Sequence, residues 1–234
     1  MTVGLVYYSD CRGDPTILDG CRRQLARCAN RHDIVSVTLQ PVDFPGAMTR
    51  VILRTPRGYL AMFRQILIGL ESLRTDIVFL VEHDVLYHPS HFDFRPPRPD
   101  TYYYNLNVWK VDWATGRAVT YETKQTSGLC ADRQRLVRHY RERVRRVEME
   151  GFTRRMGFEP GSHRRKERID DVPSETWRSE YPNIDIRHAH NLTANRWDPT
   201  QFRTPPVGWT EATTIPGWGH TVDIRHWVTS TKGE

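Results

Sequence analysis

The sequence predicts an α/β fold: one domain with a mostly parallel central sheet flanked by helices. Three observations carry that expectation. Val3 to Tyr8, Pro15 to Ala29 and Ile34 to Leu39 alternate as apolar run, helical segment and apolar run, the order of a parallel crossover unit. A second helical segment, Pro56 to Arg74, leads into the most hydrophobic stretch of the chain, Asp76 to Val81. That stretch runs straight into Glu82, His83 and Asp84. Open α/β sheets bind their ligands at such places, outside the carboxyl ends of the strands.

Each element has a local reason. Asp14 is a suitable N-cap for the first helix and Pro15 suits its first position, where a missing N–H costs nothing. In the second helix Leu60, Phe63, Leu67, Leu70 and Leu73 recur at helical spacing, with Thr55 as the expected N-cap. The prolines of FDFRPPRPD bar a strand, whereas TYYYNLNVWKVD is rich in aromatic and β-branched residues and is expected to pair in the same sheet. A third helix, roughly Ala131 to Glu150, carries Leu136, Tyr140, Val144 and Val147 on one stripe. GFEPGSHRRKERIDD is expected to be a mobile loop, and YPNIDIRHAHNLT alternates like a strand. The tail from residue 199, rich in Pro, Trp and Thr, is expected to form a strap packed on the 1–198 domain and lying over the site.

Composition narrows the function classes. With 234 residues, 38% of them hydrophobic and 11% aromatic, the chain can build a substantial core, and wholesale disorder is excluded. No apolar run approaches the roughly 18 residues of a membrane span, and MTVGLVYYSD lacks the basic flank and small-residue site of a leader, so a cytoplasmic protein is expected. Cys11, Cys21, Cys28 and Cys130 have no metal-type spacing. The net charge is +6, and residues 131–170 hold thirteen basic and seven acidic side chains, an imbalance as large as that of the whole chain. Of the 34 basic residues, 30 are Arg, whose planar fork suits phosphate; a GC-rich coding sequence explains the same bias equally well.

Glu82 and Asp84 stand one residue apart at a strand end. In extended backbone both carboxylates point to one side and can hold a divalent ion that grips diphosphate oxygens, although a salt-bridged strand end fits the same residues. Likewise Asp170 and Asp171 suit a general base or caps ahead of Pro173.

The segment TPRGYLAMFRQILIGLESLRTDIVFLVEHDVLYHPSHF resembles the middle of a family 2-like glycosyltransferase of the GT-A, Rossmann-like fold: helix, strand, D-x-D-type acidic motif, then a Pro-containing segment. VGLVYYSD resembles that family's first strand, SGLCADRQRL its acceptor loop and basic helix, Gly157 and Phe158 a short downstream motif, and ERIDD its catalytic acidic pair. The motifs keep their order from Val3 to His190.

The resemblance implies that Tyr8 and Ser9 line a nucleotide pocket, with Arg57 and Arg64 as phosphate partners. It further implies that Asp84 and Glu82 hold Mn²⁺ or Mg²⁺, and that His188, His190 or His220 closes the metal site. His83 is expected to be merely solvated. Asp171 or Asp170 would take the proton from an acceptor hydroxyl as it displaces the nucleoside diphosphate of a UDP-sugar, in an inverting transfer of a hexose. The chain is also similar to small phage-encoded glycosyltransferases, some of which decorate hydroxymethylated pyrimidines, and DNA is therefore the expected acceptor, matching the arginine-rich span. A cell-surface glycan or lipid-linked acceptor is the alternative within the class, and a non-catalytic nucleic-acid-binding module the alternative outside it.

Overall fold

The computed structural model describes residues 1–162, 168–191 and 193–230. Part of the loop expected at Gly157 to Asp171, with Arg164, Arg165 and Lys166 among the counted basic residues, lies outside the described residues. Strands β1 (Val3–Ser9), β2 (Asp33–Thr38), β3 (Thr49–Ile52) and β4 (Ile77–Glu82) run parallel in the order β4-β1-β2-β3. Next to β4 lies β9 (Leu129–Asp132), antiparallel to it, followed by β6 (Tyr102–Asn105) and β10 (Ser174–Trp177), which again run with the majority. A seven-stranded α/β sheet with one reversed strand results.

The apolar runs are continuous because helices cover both faces of this sheet. The period of two then sorts their side chains: Val6, Tyr8, Val78 and Leu80 join one core, while Val3, Leu5, Tyr7, Phe79 and Val81 join another on the reverse side. The first core takes Phe63, Ile66 and Leu70 of α2 (Tyr59–Ser72) and Leu136, Tyr140, Val144 and Val147 of α3 (Arg133–Glu150). The second takes Leu25 of α1 (Pro15–Cys28), whose Asp14 cap accepts from Thr16 N at 2.8 Å. α2 begins later than expected: the N–H of Thr55 donates to Leu53 O in a turn, and Gly58, not Thr55, precedes the first helical residue.

TYYYNLNVWKVD does not stay in one sheet. Asn105 Oδ1 accepts from Asn107 N at 2.9 Å and turns the chain, so that β7 (Val108–Asp112) leaves for a second sheet with β5 (Val85–Leu86), β8 (Ala118–Thr120), β11 (Asn183–Arg187) and β12 (Thr210–Ala212). This sheet buries Val111, Ala118, Ile184 and Ile186 against Ile17 and Cys21 of α1. All five residues of β11 are buried, so its alternation does not mark an exposed face. The tail adds β12 to this sheet, forms a hairpin of β13 (Thr214–Ile215) and β14 (Gly219–His220), and seats α4 (Ile224–Thr229) on α1. Gly20 permits that seating, because a Cβ there would meet Val228 O at 2.4 Å.

The arginine-rich helix spends its charge internally. Arg141 pairs with Glu71, Arg145 and Arg146 with Glu142, and Arg64 of α2 with Glu148. Arg133 donates to the carbonyls of Thr75 and Leu70. Arg143 is fully buried and donates to the carbonyls of Gly157 at 2.7 Å, Phe158 at 3.2 Å and Met156 at 3.4 Å. Gly157 sits at φ 56°, a conformation costly for other residues, which turns this carbonyl run toward the guanidinium. Replacing Arg143 by Met leaves the carbonyls buried without a donor and is expected to cost about 2–4 kcal/mol in urea unfolding, with no rescue by Lys, which lacks the fork. A loss below about 1 kcal/mol would show that the loop does not depend on this side chain.

Candidate metal centre and its cavity

β4 belongs to the large sheet and β5 to the small one, and His83–Asp84 is the two-residue turn between them. Three bonds fix that turn. The N–H of Glu82 donates to Tyr87 Oη at 2.9 Å, Tyr87 Oη donates to Ser127 O at 3.0 Å, and Ile186 N donates to Asp84 O at 2.9 Å. β11 pairs antiparallel with β5, so the residue that follows β11, His188, arrives beside the turn. Donor atoms of His83, Asp84 and His188 lie within 4.8 Å of one another. Asn191 spans the group, its Nδ2 donating to Asp84 Oδ2 at 2.7 Å and its Oδ1 accepting from His188 N at 2.6 Å.

Burial alone would raise the Asp84 carboxyl, but His83 and His188 outweigh it and hold Asp84 below the usual carboxylate range. Glu82 goes the other way, raised by burial and by the charge of Asp84. Its Oε1 accepts from Tyr8 Oη at 2.5 Å. Backbone extension ends at Glu82, so the two acids do not share a side as a strand would make them: one turns to Tyr8, the other to His188. His188 is buried and its Nε2, 3.5 Å from Asp84 Oδ2, has no hydrogen-bond partner. An orphaned imidazole nitrogen beside an ionised carboxylate and a second imidazole fits a divalent cation.

The same cavity is lined from β1 by Tyr8 and Ser9, from the residue after it by Asp10, and from α2 by Ala61, Met62 and Gln65. Gln65 is buried and ties Ser9 O to Val37 O, at 2.7 and 2.9 Å, which fixes the end of β1 against β2. Two guanidinium groups reach it: Arg57, paired with Asp10, and Arg187, 3.3 Å from Asp185 Oδ1. Asp185 also accepts from Gln125 Nε2 at 2.9 Å. The carboxylates of the wall are thus Asp10, Glu82, Asp84, Asp185 and Glu159, and Glu159 differs from the others in having no side-chain hydrogen bond or ion pair among the described residues. Burial raises its carboxyl above the usual range, only partly offset by nearby N–H groups and Arg143.

Of the residues expected from the sequence, the structure brings Tyr8, Ser9, Arg57, Glu82, Asp84 and His190 to this cavity, with His188 at its edge in the donor cluster. His190 is exposed and outside the cluster: the strand stops at Arg187, so the expected two-residue alternation of His188 and His190 fails, and the His190 N–H donates to His188 Nδ1 at 3.2 Å. Arg64 pairs with Glu148 on the outer surface of α2 and does not line the cavity. His220 stands exposed in the β13–β14 hairpin, its Nδ1 accepting from Val222 N, and no tail residue among those described lines the cavity.

Asp170 and Asp171 are not at the cavity either. Asp170 Oδ2 accepts from Tyr102 Oη at 2.8 Å and pairs with His139 Nδ1 at 2.7 Å; Asp171 is exposed. Through β9, Tyr102 is level with Val78, about 13 Å below Glu82 along the strands. Sequence reasoning passed over His83, Arg187, Asn191 and Glu159. His83 stood inside the acidic motif in full view; the assumption of a continuing strand turned it outward. Glu159 directly follows the Gly157–Phe158 motif, whereas Asn191 and Arg187 carry no pattern of their own.

Burial opposes ionisation of Asp170, but the bonds from His139, Tyr102 and Val172 N more than offset it and hold its pKa below the usual value. A carboxyl depressed by folding stabilises above its unfolded pKa of about 3.9 and loses that contribution as pH falls through the folded value. Asp170→Asn is therefore expected to lower the melting temperature at neutral pH and to flatten its decline below about pH 4. An unchanged acid limb in melting curves would assign Asp170 no part in acid stability.

No family model matches the chain, and no curated protein matches it.

Proposed function

We propose that the chain is a metal-dependent glycosyltransferase that takes its sugar from a nucleoside diphosphate, with a UDP-sugar as the first donor to test. The observation that carries this reading is the meeting of a cation-type donor set, His83, Asp84 and His188, with the carboxyl end of β1 and two guanidinium groups in one cavity. An ion held there supplies Lewis-acid stabilisation of the departing diphosphate oxygens.

The chain's own residues account for the rest. Ser9, Asp10 and Leu39 form the side of the cavity at which β1 ends, suited to a nucleoside, and Arg57 and Arg187 face diphosphate charge. The acceptor O–H loses its proton to Glu159 as the oxygen bonds the anomeric carbon and the carbon–phosphate oxygen bond breaks. Burial gives this carboxylate the raised basicity that the transfer uses. Glu159 replaces Asp170 and Asp171 in this role, because Asp170 is engaged with Tyr102 and His139.

No residue of α3 lines the cavity, and of its arginines Arg141, Arg145 and Arg146 pair with Glu71 or Glu142 while Arg133 and Arg143 donate to backbone carbonyls. The charge of α3 therefore does not favour a polyanion at the cavity. Hydroxymethylated DNA and a cell-surface polysaccharide enter the test as equal arms.

UDP-sugar with Mn²⁺ is expected to raise the melting temperature of the wild type, and Asp84→Ala to abolish the rise. Glu159→Gln should keep the rise while transfer to the accepted acceptor, followed by mass, falls by about 10²-fold or more. Stabilisation that survives Asp84→Ala, or a nucleotide-sugar panel that stabilises nothing, would sink the glycosyltransferase reading.

A further inference from the structure

The donor set at the sheet junction is richer in nitrogen than an acidic D-x-D-type motif suggests. Of the two acids that flank His83, only Asp84 belongs to it; Glu82 is bonded to Tyr8 and lies outside the group. His83 belongs to it because the turn between β4 and β5 swings the residue out of strand periodicity and back toward Asp84, leaving its Nε2 3.9 Å from Asp84 Oδ2. His188 brings a second imidazole whose Nε2 is buried, 3.5 Å from Asp84 Oδ2, and makes no hydrogen bond among the described residues. We infer that this junction selects a borderline transition ion, Mn²⁺, Fe²⁺, Co²⁺ or Zn²⁺, against Mg²⁺, and that His83 is the ligand that sets the preference.

The inference rests on the metal half of the proposed function and not on the donor sugar. Mg²⁺ demands oxygen ligands in near-ideal octahedral geometry and gives up water reluctantly, so two imidazoles and one carboxylate suit it poorly. Imidazole nitrogen suits the later divalent ions, with affinity rising along the series from Mn²⁺ toward Cu²⁺. Three protein ligands also leave coordination positions open for diphosphate oxygens. Asn191 is the positioning residue, since one side chain holds both the Asp84 carboxylate and the backbone of His188.

Ligation has a local consequence. A metal at His188 Nε2 places the ring proton on Nδ1, and the His190 N–H, now 3.2 Å from Nδ1, must then turn away. Metal binding and the shape of the turn after His188 are therefore coupled.

The test uses the full chain treated with chelator and titrated calorimetrically with MnCl₂, CoCl₂, ZnCl₂ and MgCl₂. Co²⁺ and Zn²⁺ are expected to bind ~100-fold or more tightly than Mg²⁺. His83→Ala should weaken Co²⁺ by about tenfold or more and leave Mg²⁺ unchanged, and Asn191→Ala should weaken all the transition ions by about 10–100-fold. Pulsed EPR of wild-type protein with Mn²⁺ provides a readout that needs no variant to fold: two imidazole nitrogens should couple to the ion. Equal affinities for Mg²⁺ and Co²⁺, an unchanged Co²⁺ affinity in a folded His83→Ala, or coupling to no nitrogen would each overturn the inference. Failure of a nucleotide sugar to bind the metal-loaded chain would instead overturn the donor half of the function and leave the ion preference standing.

Discussion

The two-residue crossing from β4 to β5 is the constraint on which the rest of the site depends. It carries the chain from one sheet to the other, and Ile186 N fixes its far side to β11 through Asp84 O at 2.9 Å. Because the small sheet is docked by that bond and by β5–β11 pairing, the residue after β11 must arrive at the turn. His188 thereby meets His83 and Asp84 although 104 positions separate it from Asp84. The energetic cost of seating an ionised carboxylate where it is only 8% exposed is offset by two imidazoles and an amide, and Glu82 is satisfied separately through Tyr8.

Beneath this junction one guanidinium, Arg143, is fully buried. Arg143 anchors the Met156–Phe158 carbonyls, and that loop carries Phe158 and Glu159 to the cavity wall. A buried guanidinium thus shapes the site from beneath without lining the cavity. Phe158 is wedged against Tyr59 and Phe152, so the loop is clamped from both sides. Within α3, Arg133, Arg141, Arg143, Arg145 and Arg146 act as scaffolding, each engaged by a carboxylate or a backbone carbonyl of the molecule.

Much of the fold was legible. Period and caps gave β1, α1, β2 and α3 nearly to the residue, because each is local: Asp14 and Pro15 start a helix whatever surrounds them. What escaped depends on distant partners. Leu129–Asp132 has only four residues and becomes a strand because β4 and β6 flank it. The split of TYYYNLNVWKVD turns on one Asn105 side chain. At the site, Asp84 and His188 were legible as chemistry, but their companion His83 was not, since its direction follows from a turn that only the second sheet explains. Asp170 misled for the converse reason: its sequence context matched a motif while its bonds go to Tyr102 and His139.

The most direct measurement is anomalous diffraction at the manganese edge from crystals grown with Mn²⁺ and UDP. One peak is expected, bonded by His83, Asp84 and His188, with diphosphate oxygens completing its coordination and Arg57 or Arg187 on the phosphates. A peak bound by Glu82 without His83, or nucleotide lodged away from the sheet junction, would contradict the assignment.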